Sequence, residues 1–360
     1  MPKLVTDTIE LLRPYEAGKP IEELARELGI RDAVKLASNE NPRGPSPRAL
    51  EAMQKAAGSV NRYPDAAAYR LRERLAAHHG VGMNEVVQGA GSNELIDVLV
   101  RAFTTKEKHV VFAEPSFVCY RMSSLAQGTP FTAVPLKNHT HDLDAMADAV
   151  EQRTALVFIA NPNNPTGTHV GRSALEAFLR RIPPEVVVVI DEAYFEYGDA
   201  ADYPDSLTLR GSRERLVVLR TFSKIHALAA LRIGYAIGPA PLIDYMNRLR
   251  LPFNCSTLAQ EAALAALDDT DYVASSRDMN IRERARLSHG LQELGCRVAP
   301  SQANFVYATF ERPAHDLYER LLRKGVIVRA FASLPDALRI TVGTPEENTR
   351  LLRALGEVLS

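Results

Sequence analysis

Arg-Leu-Val-Val-Leu-Arg-Thr-Phe-Ser-Lys-Ile-His-Ala-Leu-Ala-Ala-Leu-Arg-Ile-Gly-Tyr, residues 215–235, is the stretch that decides the fold. Its residues 216–219 are an apolar, β-branched run without polar alternation, the pattern of a strand buried on both faces. The run delivers the hydroxyls of Thr221 and Ser223 and the amine of Lys224 onto the turn at its end, with Arg232 eight residues further on. An ammonium among apolar residues is costly to bury without a partner, and desolvation lowers its pKa. Such a lysine is suited to act as a nucleophile and to form Schiff bases. A solvated loop lysine is the bland alternative, and the neighbouring segments decide between the two.

The preceding strand, 185–190, is wholly apolar over 187–190 and ends on Asp191-Glu192-Ala193-Tyr194. A carboxylate leaving such a strand needs a cationic partner. That partner is either a structural arginine or a protonated ring nitrogen of a ligand, to which Tyr194 offers a phenol. One strand earlier, 155–160 runs into Asn161-Pro162-Asn163-Asn164-Pro165-Thr166-Gly167, whose prolines and glycine stiffen the loop enough to hold the Asn164 amide toward a ligand. Ligands of open α/β sheets bind at the carboxyl ends of strands. Near the N-terminus, a short strand at 86–88 meets Gly89-Ala90-Gly91-Ser92-Asn93-Glu94 and then a helix with Leu95, Ile96, Leu99, Val100 and Phe103 at helical spacing. Small residues before a helix N-terminus make a phosphate site from backbone N–H groups, although Glu94 stands where a dinucleotide fingerprint requires glycine. Arg339 sits inside an apolar strand, Ala337-Leu338-Arg339-Ile340-Thr341-Val342-Gly343, and requires an anion: an internal Asp or Glu, or a substrate carboxylate or phosphate.

Between these motifs strands (86–88, 110–112, 131–134, 155–160, 185–190, 232–237) alternate with helices (67–79, 117–126, 143–151, 172–181), which predicts an α/β class with a mostly parallel sheet covered by helices. An N-terminal arm with a helix at 21–28, ended by Gly29, precedes a helix at 47–57 capped by Ser46. Helices at 239–250 and 257–267 and a long charged helix at 271–294 lead to a smaller α+β part with strands at 305–309, 326–328 and 338–342 and helices at 314–324 and 346–359. The expected division is residues 1–40 as the arm and part of the small domain, 41–250 as the large domain and 251–360 as the small domain with its linking helix. A net charge of -1 excludes an electrostatic nucleic-acid or membrane-surface binder. No apolar run reaches membrane-spanning length, no signal peptide is visible, and three widely spaced cysteines fit a reducing, cytoplasmic setting.

The strand-end groups form one set that a pyridine aldehyde phosphate needs. Lys224 would hold the aldehyde, and Asp191 would keep the ring nitrogen protonated. Asn164 and Tyr194 would tune the phenolic oxygen, while Ser92, Asn93, Ser223 and Arg232, beside Thr221, would hold the phosphate. No metal is required. The same residues resemble the pyridoxal-phosphate aminotransferases of the aspartate-aminotransferase fold (fold type I), and within them the histidinol-phosphate aminotransferases. The N-terminal pieces Arg13-Pro14-Tyr15, residues 38–42 and Arg62-Tyr63-Pro64 carry the resemblance further.

That resemblance implies a homodimer, with Tyr63 reaching the cofactor phosphate of the other subunit. It implies that Tyr15 and Asn39 face the substrate and that Arg329 and Arg339 bind its anionic group. It implies glutamate and 2-oxoglutarate as one substrate pair and histidinol phosphate and imidazole acetol phosphate as the other, with Lys224 moving the proton. At Phe117, where the ring that stacks on the cofactor is often tyrosine, this chain keeps the ring and loses the hydroxyl. An aromatic amino-acid aminotransferase is the competing reading. A phosphothreonine-type decarboxylase and a non-catalytic cofactor-binding regulator are weaker ones.

Overall fold

The computed structural model describes residues 4–360. Its central sheet has seven strands: β2 (Val86–Gly89), β3 (His109–Glu114), β4 (Phe131–Pro135), β5 (Thr154–Ala160), β6 (Val187–Asp191), β7 (Leu216–Thr221) and β8 (Gly234–Ile237), while a short strand nearer the N-terminus, β1 (Val34–Lys35), lies outside it. They lie in the order β2-β8-β7-β6-β5-β3-β4. All run parallel except β8, which is antiparallel to both neighbours. A strand buried on both faces has the same apolar pattern in either direction, so this reversal left no trace in the sequence.

The apolar runs behave as their composition requires. Val187 and Val189 enter the core on one face of the sheet, and Val188 and Ile190 enter the core on the other. Helices cover both faces, including Ser92–Phe103 and Ala240–Leu249 on the first and Arg172–Arg181 on the second. Register then aligns the strand ends. Ala160 pairs with Asp191, Asp191 with Leu219, and Thr221 and Gly89 both with Gly234. One edge of the sheet therefore presents the 161–167 loop, Asp191, the Thr221–Lys224 turn and the Gly89–Gly91 turn side by side.

Beyond this edge lies a second, antiparallel sheet in the order β12 (Arg329–Phe331), β13 (Leu334–Thr341), β10 (Phe305–Thr309), β9 (Arg297–Val298). The stretch expected as one strand at 326–328 divides: β11 (Val326–Ile327) leaves this sheet and pairs in parallel with β1 (Val34–Lys35). Two residues carry no readable periodicity, so β1 was not foreseen. It forms because Val34 and Leu36 bury themselves in the core of the second sheet. The pairing leads residues 37–41 past the edge of the central sheet.

Local signals set the helix ends. Ser46 Oγ accepts the Ala49 N–H at 3.2 Å with Pro47 at the first helical position, and Gly29 closes the helix Ile21–Leu28 with a left-handed residue. The helix expected from 117 begins at Cys119, leaving Phe117 in the preceding turn. Arg232, expected at the start of a strand, stands before β8 in a left-handed conformation (φ 55°). The 24-residue helix Thr270–Glu293 joins the two sheets. Its buried Arg284 donates to Asp199 Oδ1 at 2.5 Å and to the Ala303 carbonyl at 3.1 Å.

Candidate active site

The aligned strand ends and the second sheet enclose a cavity of about 190 Å³, lined by Asp191, Lys224, Asn164, Tyr194, Phe117, Ser92, Asn93, Thr221, Ser223, Arg232, Asn39, Tyr15, Arg329 and Arg339. Fourteen of the fifteen residues singled out from the sequence thus share one cavity. Tyr63 lies outside the cavity of its own chain, 82% exposed, with its ring stacked 4.6 Å from that of Phe253.

Lys224 follows the end of β7 and extends into this cavity. Its Nζ donates to the Ser38 carbonyl at 3.4 Å and sits 5.5 Å from the centre of the Tyr194 ring. Among the described residues no carboxylate forms an ion pair with it. Burial, with the Arg339 charge as a second cause, brings its pKa down to about 8.

Asp191 closes β6 with 4% of its surface exposed. A carboxylate so buried calls for a cation, and among the described residues none forms an ion pair with it. Instead Tyr120 donates its phenol proton to Oδ2 at 2.8 Å, and the Ala193 N–H reaches Oδ1 at 3.2 Å. These hydrogen bonds only partly offset burial, which pushes the Asp191 pKa up to about 6. Asp191 and Lys224 are thus both held against their ordinary ionisation.

The phosphate end is built from small residues. Gly91 precedes the helix Ser92–Phe103 with φ 80° and ψ 164°, a conformation open essentially to glycine alone. A Cβ on Gly91 would lie 2.5 Å from Arg232 Nη2. Gly234 admits a close approach of backbone, since a Cβ there would lie 2.7 Å from the Ser92 backbone nitrogen and 3.0 Å from the Arg220 carbonyl oxygen. The Ser223 N–H donates to Thr221 Oγ1 at 3.1 Å, Thr221 Oγ1 donates to Ser223 Oγ at 3.0 Å, and Arg232 Nη1 reaches Ser223 Oγ at 3.4 Å. Glu94, the residue that breaks the dinucleotide pattern, turns away from this group. Its carboxylate accepts the Ala90 N–H and the Asn254 amide. Gly234→Ala, which overpacks backbone rather than a movable side chain, is expected to cost about 1–3 kcal/mol of stability and to weaken phosphate binding at Ser92. Denaturant titration with and without pyridoxal phosphate measures both effects.

At the other end, Arg339 is buried on β13. Its Nη1 donates to Asn164 Oδ1 and its Nη2 to the Ala37 carbonyl, both at 2.6 Å, while Nε is buried with no hydrogen-bond partner among the described residues. The internal carboxylate allowed by the sequence is absent among the described residues; an amide and a backbone carbonyl stand in for it. Tyr194 Oη accepts from Asn39 Nδ2 at 2.9 Å, and Asn39 is fixed in turn by Thr341. Arg329 spends its guanidinium on the carbonyls of Ala17 (2.8 Å) and Glu16, pinning the segment that carries Tyr15.

Two groups escaped the sequence reading. Tyr120 is one. The other is Arg220, one residue before Thr221, which donates twice to Glu192 Oε2 at 3.0 and 2.8 Å and once to Asp205 Oδ1 at 2.7 Å. This buried pair locks together the ends of β6 and β7, next to Asp191 and Thr221 respectively. A charged residue within an apolar strand, here Arg220, is the signal that pointed to Arg339 and applied equally to it.

These observations test the fit of a pyridoxal phosphate. A buried carboxylate without a cation suits a protonated ring nitrogen. A lysine poised near neutrality suits an aldehyde, and a helix N-terminus with two hydroxyls and an arginine suits a phosphate. The groups present fit.

The lysine's poise has a pH consequence without the cofactor. Between about pH 8 and its ordinary pKa of 10.5, the unfolded chain holds a proton on Lys224 that the folded chain lacks. Stability therefore rises with pH across that window, and the full cost of the charged amine remains below it. Lys224→Met is expected to stabilise the cofactor-free protein by about 2 kcal/mol near neutral pH and to lose most of that gain above about pH 10. Denaturant midpoints at the two pH values check this.

The sequence pattern of the class I and II aminotransferases matches residues 31–355. The chain is 47% identical over 356 residues to histidinol-phosphate aminotransferase 2 of Pseudomonas aeruginosa, covering 98% of this chain and 96% of that one. It is 48% identical over 360 residues to the histidinol-phosphate aminotransferase of an Anaeromyxobacter species, covering 99% of each. The crystal structure of histidinol-phosphate aminotransferase from Sinorhizobium meliloti in complex with pyridoxal-5'-phosphate superposes with a TM-score of 0.91 at 29% identity, over 99% of this chain and 97% of that one. With matches of this extent, the chain belongs to the class I and II aminotransferases, in the family of the histidinol-phosphate aminotransferases.

Proposed function

We propose that the protein transfers the amino group of glutamate to imidazole acetol phosphate, giving 2-oxoglutarate and histidinol phosphate in histidine biosynthesis, with pyridoxal phosphate as cofactor. The observation that carries this reading is Arg339, a buried guanidinium with no anionic partner among the described residues, sharing one cavity with Lys224, which also lacks one among them. An arginine fork binds a carboxylate or a phosphate equally well, so one group can serve both substrates in turn.

Bound in this cavity, the cofactor supplies an aldehyde that accepts amino groups and a ring that takes up electron density from the substrate carbon. In this reading Lys224 Nζ would hold the aldehyde carbon and would take the proton from the substrate α-carbon. A pKa brought to about 8 leaves a useful fraction of free amine for that task. Asp191 keeps the ring nitrogen protonated. Asn164 Nδ2 and the Tyr194 hydroxyl remain free to donate to the phenolic oxygen, because Arg339 and Asn39 use only their acceptor sides. Ser92, Asn93, Thr221, Ser223 and Arg232 bind the phosphate, and Phe117 covers a face of the ring. Tyr15 and Asn39 wall the substrate, while Arg329 acts on it partly through the segment it pins.

The assembly in this reading is a homodimer in which Tyr63 of the partner subunit completes the phosphate site. Its support is exposed apolar surface at Tyr63, whose ring stacks on the exposed Phe253 and which lines one surface groove with the exposed Val60. The setting is cytoplasmic, consistent with three free, buried cysteines. No helix among the described residues is long and apolar enough to cross a membrane.

The test is kcat/KM for histidinol phosphate against phenylalanine, with 2-oxoglutarate as acceptor. A preference of at least about tenfold for histidinol phosphate is expected, the size of one charge-assisted contact to the phosphate. A preference for phenylalanine would replace this assignment with an aromatic amino-acid aminotransferase.

A further inference from the structure

The hydrogen bond from Tyr120 to Asp191 joins residues 71 apart in sequence and is the shortest polar contact of that carboxylate. Its donor has no freedom to be elsewhere. Tyr120 is fully buried in the first turn of the helix Cys119–Gln127. Its ring stacks on Phe158 of β5 (centroids 4.7 Å apart, planes at 11°) and meets the edge of Phe117 (5.9 Å, 85°). Phe112 of β3 closes a third side at 6.2 Å. Three aromatic rings thus aim one hydroxyl. An ionised carboxylate can only accept, so the phenol keeps its proton and donates it toward Oδ2.

The contact also decides how well Asp191 can work. Burial favours the neutral acid, whereas the Tyr120 hydrogen bond favours the carboxylate and is the largest of the opposing influences. Without it, the group facing the cavity would be more often protonated and freer to rotate. Phe117, which walls the same cavity, leans on the same ring. One side chain outside the cavity therefore braces two that line it.

We propose that Tyr120 is a positioning residue for the cofactor: its hydroxyl, fixed by Phe158, Phe117 and Phe112, orients the Asp191 carboxylate and holds it ionised toward the pyridine nitrogen. The proposal rests on the reading of the cavity as a pyridoxal-phosphate site. It adds a residue that does not line the cavity.

The experiment measures the dissociation constant of pyridoxal phosphate and the pH titration of the bound cofactor's visible absorption, in the wild type and in Tyr120→Phe, Asp191→Asn and the double variant. Tyr120→Phe keeps the ring and its packing. It is expected to weaken the cofactor roughly 10- to 100-fold, the size of a hydrogen bond to a charged group. It should also shift the spectral titration and lower kcat more than it raises KM for glutamate. In the Asp191→Asn background the same substitution is expected to change the dissociation constant by less than about threefold, because the hydroxyl then has no charge to hold. Equal losses in both backgrounds would mean that the hydroxyl serves packing alone and would overturn the proposal, as would a Tyr120→Phe protein with wild-type affinity and titration. If Tyr120→Phe does not fold, Phe158→Leu decides. It leaves the hydroxyl in place and loosens its aim, so a weakened cofactor supports the proposal and unchanged affinity refutes it. A wild type that takes up no pyridoxal phosphate would instead end the reading of the cavity itself.

Discussion

Lys224→Ala is expected to be colourless after dialysis, to release pyridoxal phosphate freely and to lose transamination by roughly 10⁴-fold or more, since both the covalent anchor and the proton-moving base go with one amine. The fold should not suffer. Lys224 forms no ion pair among the described residues, and burial already works against its charge. Removing it relieves a cost rather than breaking a contact, apart from a 3.4 Å hydrogen bond to the Ser38 carbonyl. Lys224→Arg separates charge from chemistry: a guanidinium stays protonated and cannot serve as base, so this variant should be as inactive as Lys224→Ala. Absorption spectra, residual activity and denaturant midpoints of the three proteins check the account. Retained visible absorption in Lys224→Ala would place the aldehyde on another residue.

The second large effect belongs to Arg339→Ala. Its kcat/KM is expected to fall roughly 10²- to 10³-fold for glutamate and for the phosphate substrate alike, the loss of a charge-assisted fork. The cofactor should be retained, because among the described residues Asn164 Oδ1 is the one group of the proposed cofactor set that Arg339 hydrogen-bonds. Arg339→Lys keeps a charge without the planar fork and should fall between the two. Steady-state kinetics with each substrate varied separately give the answer. A loss confined to one substrate would show that the two anions use different receptors, with Arg329 the alternative once its hold on the Ala17 and Glu16 carbonyls is released.

Much of the site was legible because Asn164, Asp191 and Lys224 follow the ends of buried strands, and a strand buried on both faces is the least ambiguous apolar pattern. The run 187–190 announced Asp191, and the run 216–219 announced Thr221, Ser223 and Lys224. Register then brought them together, Asp191 pairing with Leu219. The sequence did not reveal what each charge would find. Where an internal arginine could have met Asp191 stands the phenol of Tyr120, and where an internal Asp or Glu could have met Arg339 stand Asn164 and the Ala37 carbonyl. Pairings between residues so far apart in the chain depend on packing, which no local pattern encodes. β1 escaped for the opposite reason: Val34 and Lys35 are too few to show a period, yet their pairing with Val326 and Ile327 carries Ala37 and Asn39 to the cavity. The helix Cys119–Gln127 was foreseen, but nothing in its apolar spacing distinguished Tyr120 from an ordinary core ring.

The central claim, amino transfer by way of Lys224 between a carboxylate and a phosphate substrate, is tested most directly by two half-reactions in sequence on one sample of loaded protein. Glutamate alone should bleach the visible absorption and release one 2-oxoglutarate per site. Imidazole acetol phosphate added after removal of free glutamate should restore the absorption and yield one histidinol phosphate per site. Release of carbon dioxide, or absorption that glutamate leaves unchanged, would contradict the account.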